Sequence, residues 1–151
     1  MNSLIAGITV EPFKPEHLYQ INLQKHETEI IGRHPEVFIA VATSPLAVTN
    51  TFWFKGSLGV IGGHYIMWEG VAEIFLLVSV DIFRYPKTFI IGCEYMFNKV
   101  KSDMSLHRIQ APTLDDSRRS RFLQRHGFVD EGVLKQYTSD RQDYRMWAFV
   151  R

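Results

Sequence analysis

The chain has 151 residues, 46% of them hydrophobic and 22% charged, an ordinary globular composition with enough length to bury a core without disulfides or a structural metal, and one domain over 1–151 is expected. Its 17 Lys and Arg against 16 Asp and Glu leave a formal net charge of +1, so no whole-chain field argues for nucleic acid or an acidic membrane as a partner. A single cysteine, Cys93, excludes a disulfide within these residues, and nothing suggests an oxidising compartment. The opening MNSLIAGITVEPFK carries no basic leader, and no apolar run is long enough to span a membrane, so a soluble cytoplasmic protein is expected.

In chain order, Ile8 and Val10 alternate with Thr9 and Glu11, which predicts a strand ending at Pro12. Lys14 and Pro15 open a helix with Leu18 and Ile21 on one side, and a second helical piece runs over 27–31 until Gly32 and Pro35 interrupt it. The continuous apolar run 37–43 reads as a strand, 44–50 as a loop, and 51–54 as a strand reaching the Lys55-Gly56 turn. Two runs rich in β-branched and aromatic residues, 60–68 and 72–80, join through Glu69 and Gly70 as a hairpin. Pro86 suits the first turn of the next helix, whose Phe89, Ile90, Cys93, Met96, Phe97 and Val100 recur with a helical period on one face. A strand over 108–111 is expected to stop at Pro112. Thr113, Asp115, Asp116 and Ser117 are candidate N-caps for a helix running to His126. That helix is expected to carry Arg118, Arg119, Arg121 and Arg125 outward, with Phe122 and Leu123 inward, and to close at Gly127. Runs 132–137 and 144–150 form a closing antiparallel pair.

The hairpin, the Pro86 helix, and the tail LDDSRRSRFLQRHGFVDEGVLKQYTSDRQDYRMWAFVR together resemble the GNAT superfamily of acyl-CoA-dependent N-acyltransferases. The detailed likeness lies in about the last forty residues. There HGFVDEGVLKQY, followed by a turn and DYRMWAFV, is similar to the ending of the subgroup that acetylates ribosomal-protein and other N-terminal amines. The resemblance implies an α+β fold with a twisted, mostly antiparallel sheet of about seven strands and helices on both faces. It implies acetyl-CoA as co-substrate, no metal, and a primary amine as acceptor, a protein or peptide N-terminus before a small molecule. The expected state is a monomer or homodimer, with neither membrane nor nucleic acid as partner. A second reading is a GNAT-fold protein that has lost acyl-CoA binding and serves as an interaction or structural component, of a kind also met among bacteriophage proteins.

The same resemblance places the site. Main-chain groups of Leu77, Val78 and Val80 would meet the pantetheine arm, and Glu73 on the same strand would be the catalytic base, with Glu69 in the hairpin turn as its rival. Members usually carry R/Q-x-x-G-x-G/A at the pyrophosphate, because glycines let backbone N–H groups close on it at a helix N-terminus. Here the segment reads Arg84, Tyr85, Pro86, Lys87, Thr88, Phe89. Only the arginine matches, so Arg84 and Lys87 would hold phosphates as charges, with Thr88 also at the cofactor. The Asn and Ser of the subgroup's next helix become Asp116 and Arg119, both expected near the cofactor, and the position of the tyrosine acid used by many members is Leu123. The six histidines show no metal-ligand spacing, since HETEI at His26 is not HExxH. Cys93 falls on an apolar helix face and reads as a small buried hydrophobe.

Overall fold

The computed structural model of the protein describes residues 3–5 and 7–151, and there the apolar alternations of the sequence assemble into one eight-stranded sheet. Chain order gives β1 (Ser3–Ile5), β2 (Ile8–Pro12), a 3-10 helix (Pro15–Tyr19), α1 (Lys25–Ile30), α2 (Pro35–Ala42), β3 (Ala47–Phe54), β4 (Ser57–Trp68) and β5 (Val71–Val78). A second 3-10 helix (Val80–Arg84) leads into α3 (Pro86–Lys101), β6 (Arg108–Leu114), α4 (Ser117–Arg125), β7 (Val129–Leu134) and β8 (Tyr144–Val150). The strand order is β1-β2-β3-β4-β5-β6-β8-β7. Every neighbouring pair is antiparallel except β5 with β6. The expected mixed architecture and mostly antiparallel sheet are present, with the short β1 as an added edge.

Alternation along β4, β5 and β6 sends side chains to two cores. On one face α3 and α4 cover Ala72, Ile74, Ile109 and Ala111 with Cys93, Phe97, Val100 and Leu123. On the other, the first 3-10 helix and α2 cover Ile61 and Leu77 with Leu18, Ile21, Phe38 and Ile39. Cys93 is buried, as expected, and that burial pushes its thiol pKa up. His17 ties the first 3-10 helix to the sheet. Its Nδ1 accepts from the Lys14 N–H at 3.2 Å and lies 2.7 Å from Thr51 Oγ1, so Nε2 carries the proton facing Glu11 Oε1 at 2.9 Å.

Several details depart from the sequence reading, among them β7, which spans Val129–Leu134 where 132–137 is expected. The run read as a strand over 37–43 is helix α2. A continuous apolar run fits a buried strand or a helix equally well by periodicity, and Pro35 in the first turn starts a helix here because its fixed φ suits one and it has no N–H to leave unpaired. Pro112 does not stop β6; it pairs with Met146 inside the strand. Parallel pairing of β5 with β6 covers only Val71–Glu73 against Arg108–Gln110, so beyond Gln110 that flank of β6 has no ladder for a proline to break. Val80 lies past the end of β5 in the second 3-10 helix. Finally, β3 starts at Ala47, inside the expected loop, and pairs with β4 up to Tyr65.

The β3–β4 pair requires a glycine at one point of contact. A Cβ on Gly63 would lie 1.9 Å from the Val48 carbonyl oxygen, a backbone atom held by the facing strand. Gly63→Ala is therefore expected to lose at least about 3 kcal/mol of stability in urea unfolding, the upper end of ordinary overpacking. Wild-type stability for that variant would show that β3 and β4 are not in contact there.

Candidate active site

Beyond Glu73 and Gln110 the strands β5 and β6 part. Backbone direction alternates along a strand, and the Ser79 N–H turns toward β4, donating to the Gly59 carbonyl at 2.8 Å, while that of Val80 turns to the opposite side, donating to the Asn22 carbonyl at 3.0 Å. By the same alternation, the backbone groups of Leu76 and Val78 face the gap. A cavity of about 180 Å³ occupies it. Its inner wall is apolar, made by Ile74, Leu76, Phe97, Ala111, Phe122 and Leu123, and its polar rim is Gln24, Glu27, Arg118 and Arg119 beside Phe83.

The rim is a single network centred on α1. Gln24 Nε2 donates to the Val78 carbonyl at 3.2 Å, and the Val78 N–H donates to Glu27 Oε1 at 3.4 Å. The Gln24 N–H reaches Glu27 Oε2 at 3.3 Å, the Glu three residues into the helix answering the cap residue's backbone. Gln24 Oε1 accepts from Arg118 at 3.1 Å and from Arg119 at 3.3 Å. Asp116 caps α4 by accepting from the Arg119 N–H at 2.8 Å, and it also pairs with the Arg119 guanidinium. Arg118 lies over the Phe83 ring, 4.8 Å from its centroid. His26 Nε2 meets the Tyr144 hydroxyl at 2.8 Å, joining α1 to β8. Burial of the Glu27 carboxyl pushes its pKa up to about 7, against the opposing pull of its Val78 and Gln24 hydrogen bonds and of Arg119 and Arg118.

The residues picked out in the sequence do not converge on one place. Val78 and Arg119 line the cavity, and Asp116 holds Arg119 from the helix cap. Leu77, expected to offer its main chain to the arm, instead faces Ile61 of β4 with its backbone and the opposite core with its side chain, and the Val80 N–H is already bonded to Asn22. Glu73 sits where the strands begin to part, accepting from the Tyr65 hydroxyl at 2.9 Å and from Gln110 Nε2 at 2.8 Å; it does not line the cavity. Arg84 lines a separate recess with Lys55, Asp81 and Tyr85. Lys87 and Thr88 stand in the first turn of α3, where Pro86 offers no N–H and that of Phe89 is bonded to Tyr85. Arg118, Arg121 and Arg125 are exposed as expected, but Arg118 and the half-buried Arg119 also reach over the cavity to Gln24. Sequence reasoning missed Gln24, Glu27, Leu76 and Phe83. The capping spacing Gln24 to Glu27 signals a helix start, and nothing in it signals a cavity. Among the described residues no three His, Cys, Asp or Glu converge as a metal would require, and no helix is long and apolar enough to cross a membrane.

The chain superposes over 99% of its length on 98% of a GNAT-family acetyltransferase from Bacillus anthracis, with a TM-score of 0.70 at 13% identity. The fold is that of the GNAT acetyltransferases. Two further structures share it: the ribosomal-protein-S18-alanine N-acetyltransferase of Escherichia coli (TM-score 0.70, 14% identity, 95% of this chain and 93% of that one), and a spermidine N-acetyltransferase mutant from Vibrio cholerae (TM-score 0.71, 13% identity, 97% and 95%). No family model matches the sequence, and no curated protein matches it. The GNAT fold here is thus carried by a sequence with little identity to these structures.

The Glu27 carboxyl makes stability depend on pH. Its pKa rises from 4.5 to about 7 in the folded state, so between those values the native chain holds a proton that the unfolded chain has lost, and stability falls as pH rises through that window. Glu27→Gln removes the effect. Relative to wild type, the variant should gain about 3 kcal/mol in urea unfolding on going from about pH 4.5 to about pH 8. Parallel pH profiles for the two proteins would show that Glu27 ionises as freely in the fold as out of it.

Proposed function

We propose that the protein is an N-acetyltransferase that moves the acetyl group of acetyl-CoA to a primary amine, a protein N-terminus or a similar amine. The observation that carries this reading is the cavity at the parting of β5 and β6, apolar within, basic at its rim, and flanked by the Leu76 backbone with no strand opposite it. A thioester joined to an amide-bearing arm needs that combination: apolar walls that exclude water, and a backbone edge that can pair with amides. The three compared structures are acetyltransferases by name, and two are named for amine acceptors, a ribosomal-protein alanine and spermidine.

The phosphate end differs from a glycine cradle. Lys87 and Thr88 supply the backbone donors at the start of α3 that are not already bonded within it, and Lys87 adds charge there, while Arg84 lines the neighbouring recess. Arg118 and Arg119 add two guanidinium groups at the cavity rim. Guanidinium groups bind phosphate through forked N–H donors as well as charge. Cations thus stand in for the close backbone approach that Pro86 and the side chains at 87 and 89 prevent.

The test is calorimetric titration of the protein with acetyl-CoA, followed by mass spectrometry of an alanine-initiated peptide incubated with both. Binding in the micromolar range, about 8 kcal/mol, and an acetylated peptide are expected, with Arg119→Ala weakening acetyl-CoA binding on the order of tenfold. Neither heat nor a thermal shift at millimolar acetyl-CoA would remove the transferase reading.

A further inference from the structure

Resting on that reading, we propose that Glu27, on α1, is the proton acceptor for the incoming amine. A primary amine is mostly an ammonium ion at neutral pH and has no lone pair to attack with, so a base positioned in the cavity speeds the reaction. Of the residues lining it, Glu27 is the one carboxylate. It is 9% exposed, and both of its hydrogen bonds are long, 3.4 Å from the Val78 N–H and 3.3 Å from the Gln24 N–H. Among the described residues no Lys, Arg or His makes a salt bridge with it, whereas seven such pairs form elsewhere in the fold. Glu27 is therefore buried, anchored and still able to accept a proton.

Glu73 has the opposite character. Its two oxygens accept shorter bonds from Tyr65 and Gln110, at 2.9 and 2.8 Å, and the cavity lining does not include it. It joins β4, β5 and β6 at the last residues before the gap opens, which makes it a positioning residue.

The strand edge also sets the distance over which the chemistry runs. Glu27 is held to the N–H of Val78, two residues beyond Leu76 on the same edge, so these two N–H groups are about 7 Å apart. That leaves room for an amine beside Glu27 and a thioester oxygen on the Leu76 N–H. One proton passes from the ammonium to Glu27. The freed nitrogen forms a bond to the carbonyl carbon, charge on the carbonyl oxygen falls on the Leu76 N–H, and the carbon–sulfur bond breaks. The nitrogen's second proton goes to the departing sulfur. Ammonium and thioester become amide and thiol, and Glu27 returns its proton to water.

Burial brings the carboxyl to about 7, close to the working pH of a base. The charged and titratable groups around it are Arg118 and Arg119 from α4, Tyr144 from β8 and His26 from α1. Burial holds His26 below the usual imidazole range, with Arg119 adding to the effect, and burial pushes Tyr144 up to about 12. Tyr144 therefore stays protonated through the range in which Glu27 titrates.

The experiment measures kcat and kcat/KM against pH for the full chain, with acetyl-CoA as donor and an alanine-initiated peptide and spermidine as probe acceptors. Wild type should lose activity below about pH 7 with the slope of one proton. Glu27→Gln should lower kcat at least about a hundredfold, abolish that acid limb, and leave the acetyl-CoA Kd within about threefold, with Glu27→Asp recovering part of the rate. Undiminished kcat in Glu27→Gln, or a drop that keeps the acid limb, overturns the assignment. A wild type that binds acetyl-CoA and acetylates an amine beside an unaffected Glu27→Gln leaves the transferase reading standing and removes Glu27 alone. A wild type that does neither removes both.

Discussion

Strands β5 and β6 share only three paired positions, and the candidate site depends on where that pairing stops. A parallel pair requires a crossover, supplied by α3. Past Gln110, β6 follows β8 instead, pairing along its whole length from Arg108 with Val150 to Leu114 with Tyr144. The wedge beneath the gap is aromatic: Phe89 and Phe122 stack with centroids 5.6 Å apart, and Phe97 lies 5.8 Å from Phe122. These rings join α3 to α4, so the helices are packed to each other across the gap. Close-packed rings resist the sliding that would let β6 zip onto β5.

Opening a sheet exposes backbone donors and acceptors that cannot be left buried and unpaired. Helix α1 answers this at the mouth, touching β5 through Gln24 and Glu27, α4 through Gln24, and β8 through His26. Three residues, Gln24, His26 and Glu27, thus tie β5 to α4 and β8. The bridge costs stability, because a carboxyl in such a place resists ionisation. A carboxyl with its proton affinity raised near neutrality is also what amine activation requires. With Glu27 as the proposed base, stability and reactivity would pull against each other there, as they commonly do at functional sites.

The cationic rim can be understood in the same terms. Arg119 is pinned by its helix cap Asp116 and reaches Gln24, while Arg118 lies along Phe83. Both guanidinium groups are therefore oriented before any anion arrives, which lowers the ordering entropy of binding. In the proposed reading, a side-chain rim of this kind would do by charge and geometry what glycine-lined backbone does where a chain can approach a phosphate closely.

Much of the scaffold is legible in the residues themselves. The β4–β5 hairpin turns at Gly70, whose φ of +80° suits glycine, and the apolar spacing of α3 and the Asp116 cap are local patterns with local causes. The resemblance of the tail to the N-terminal-amine subgroup points to the GNAT fold from residue identities alone. Local pattern is insufficient where two structures satisfy it equally. The apolar run after Pro35 fits strand or helix, Pro112 looks like a stop unless its flank is known to be empty, and an arginine helix looks solvated until something lies opposite it. The composition, the period of the helices and the turn chemistry were determined by sequence alone, because each depends on neighbours a few residues apart. Tertiary structure alone decided where β5 and β6 separate and that Glu27, 51 residues before Val78 in the chain, meets its backbone. Burial, not residue type, raises that carboxyl's proton affinity, and burial is a property of what surrounds a residue in space.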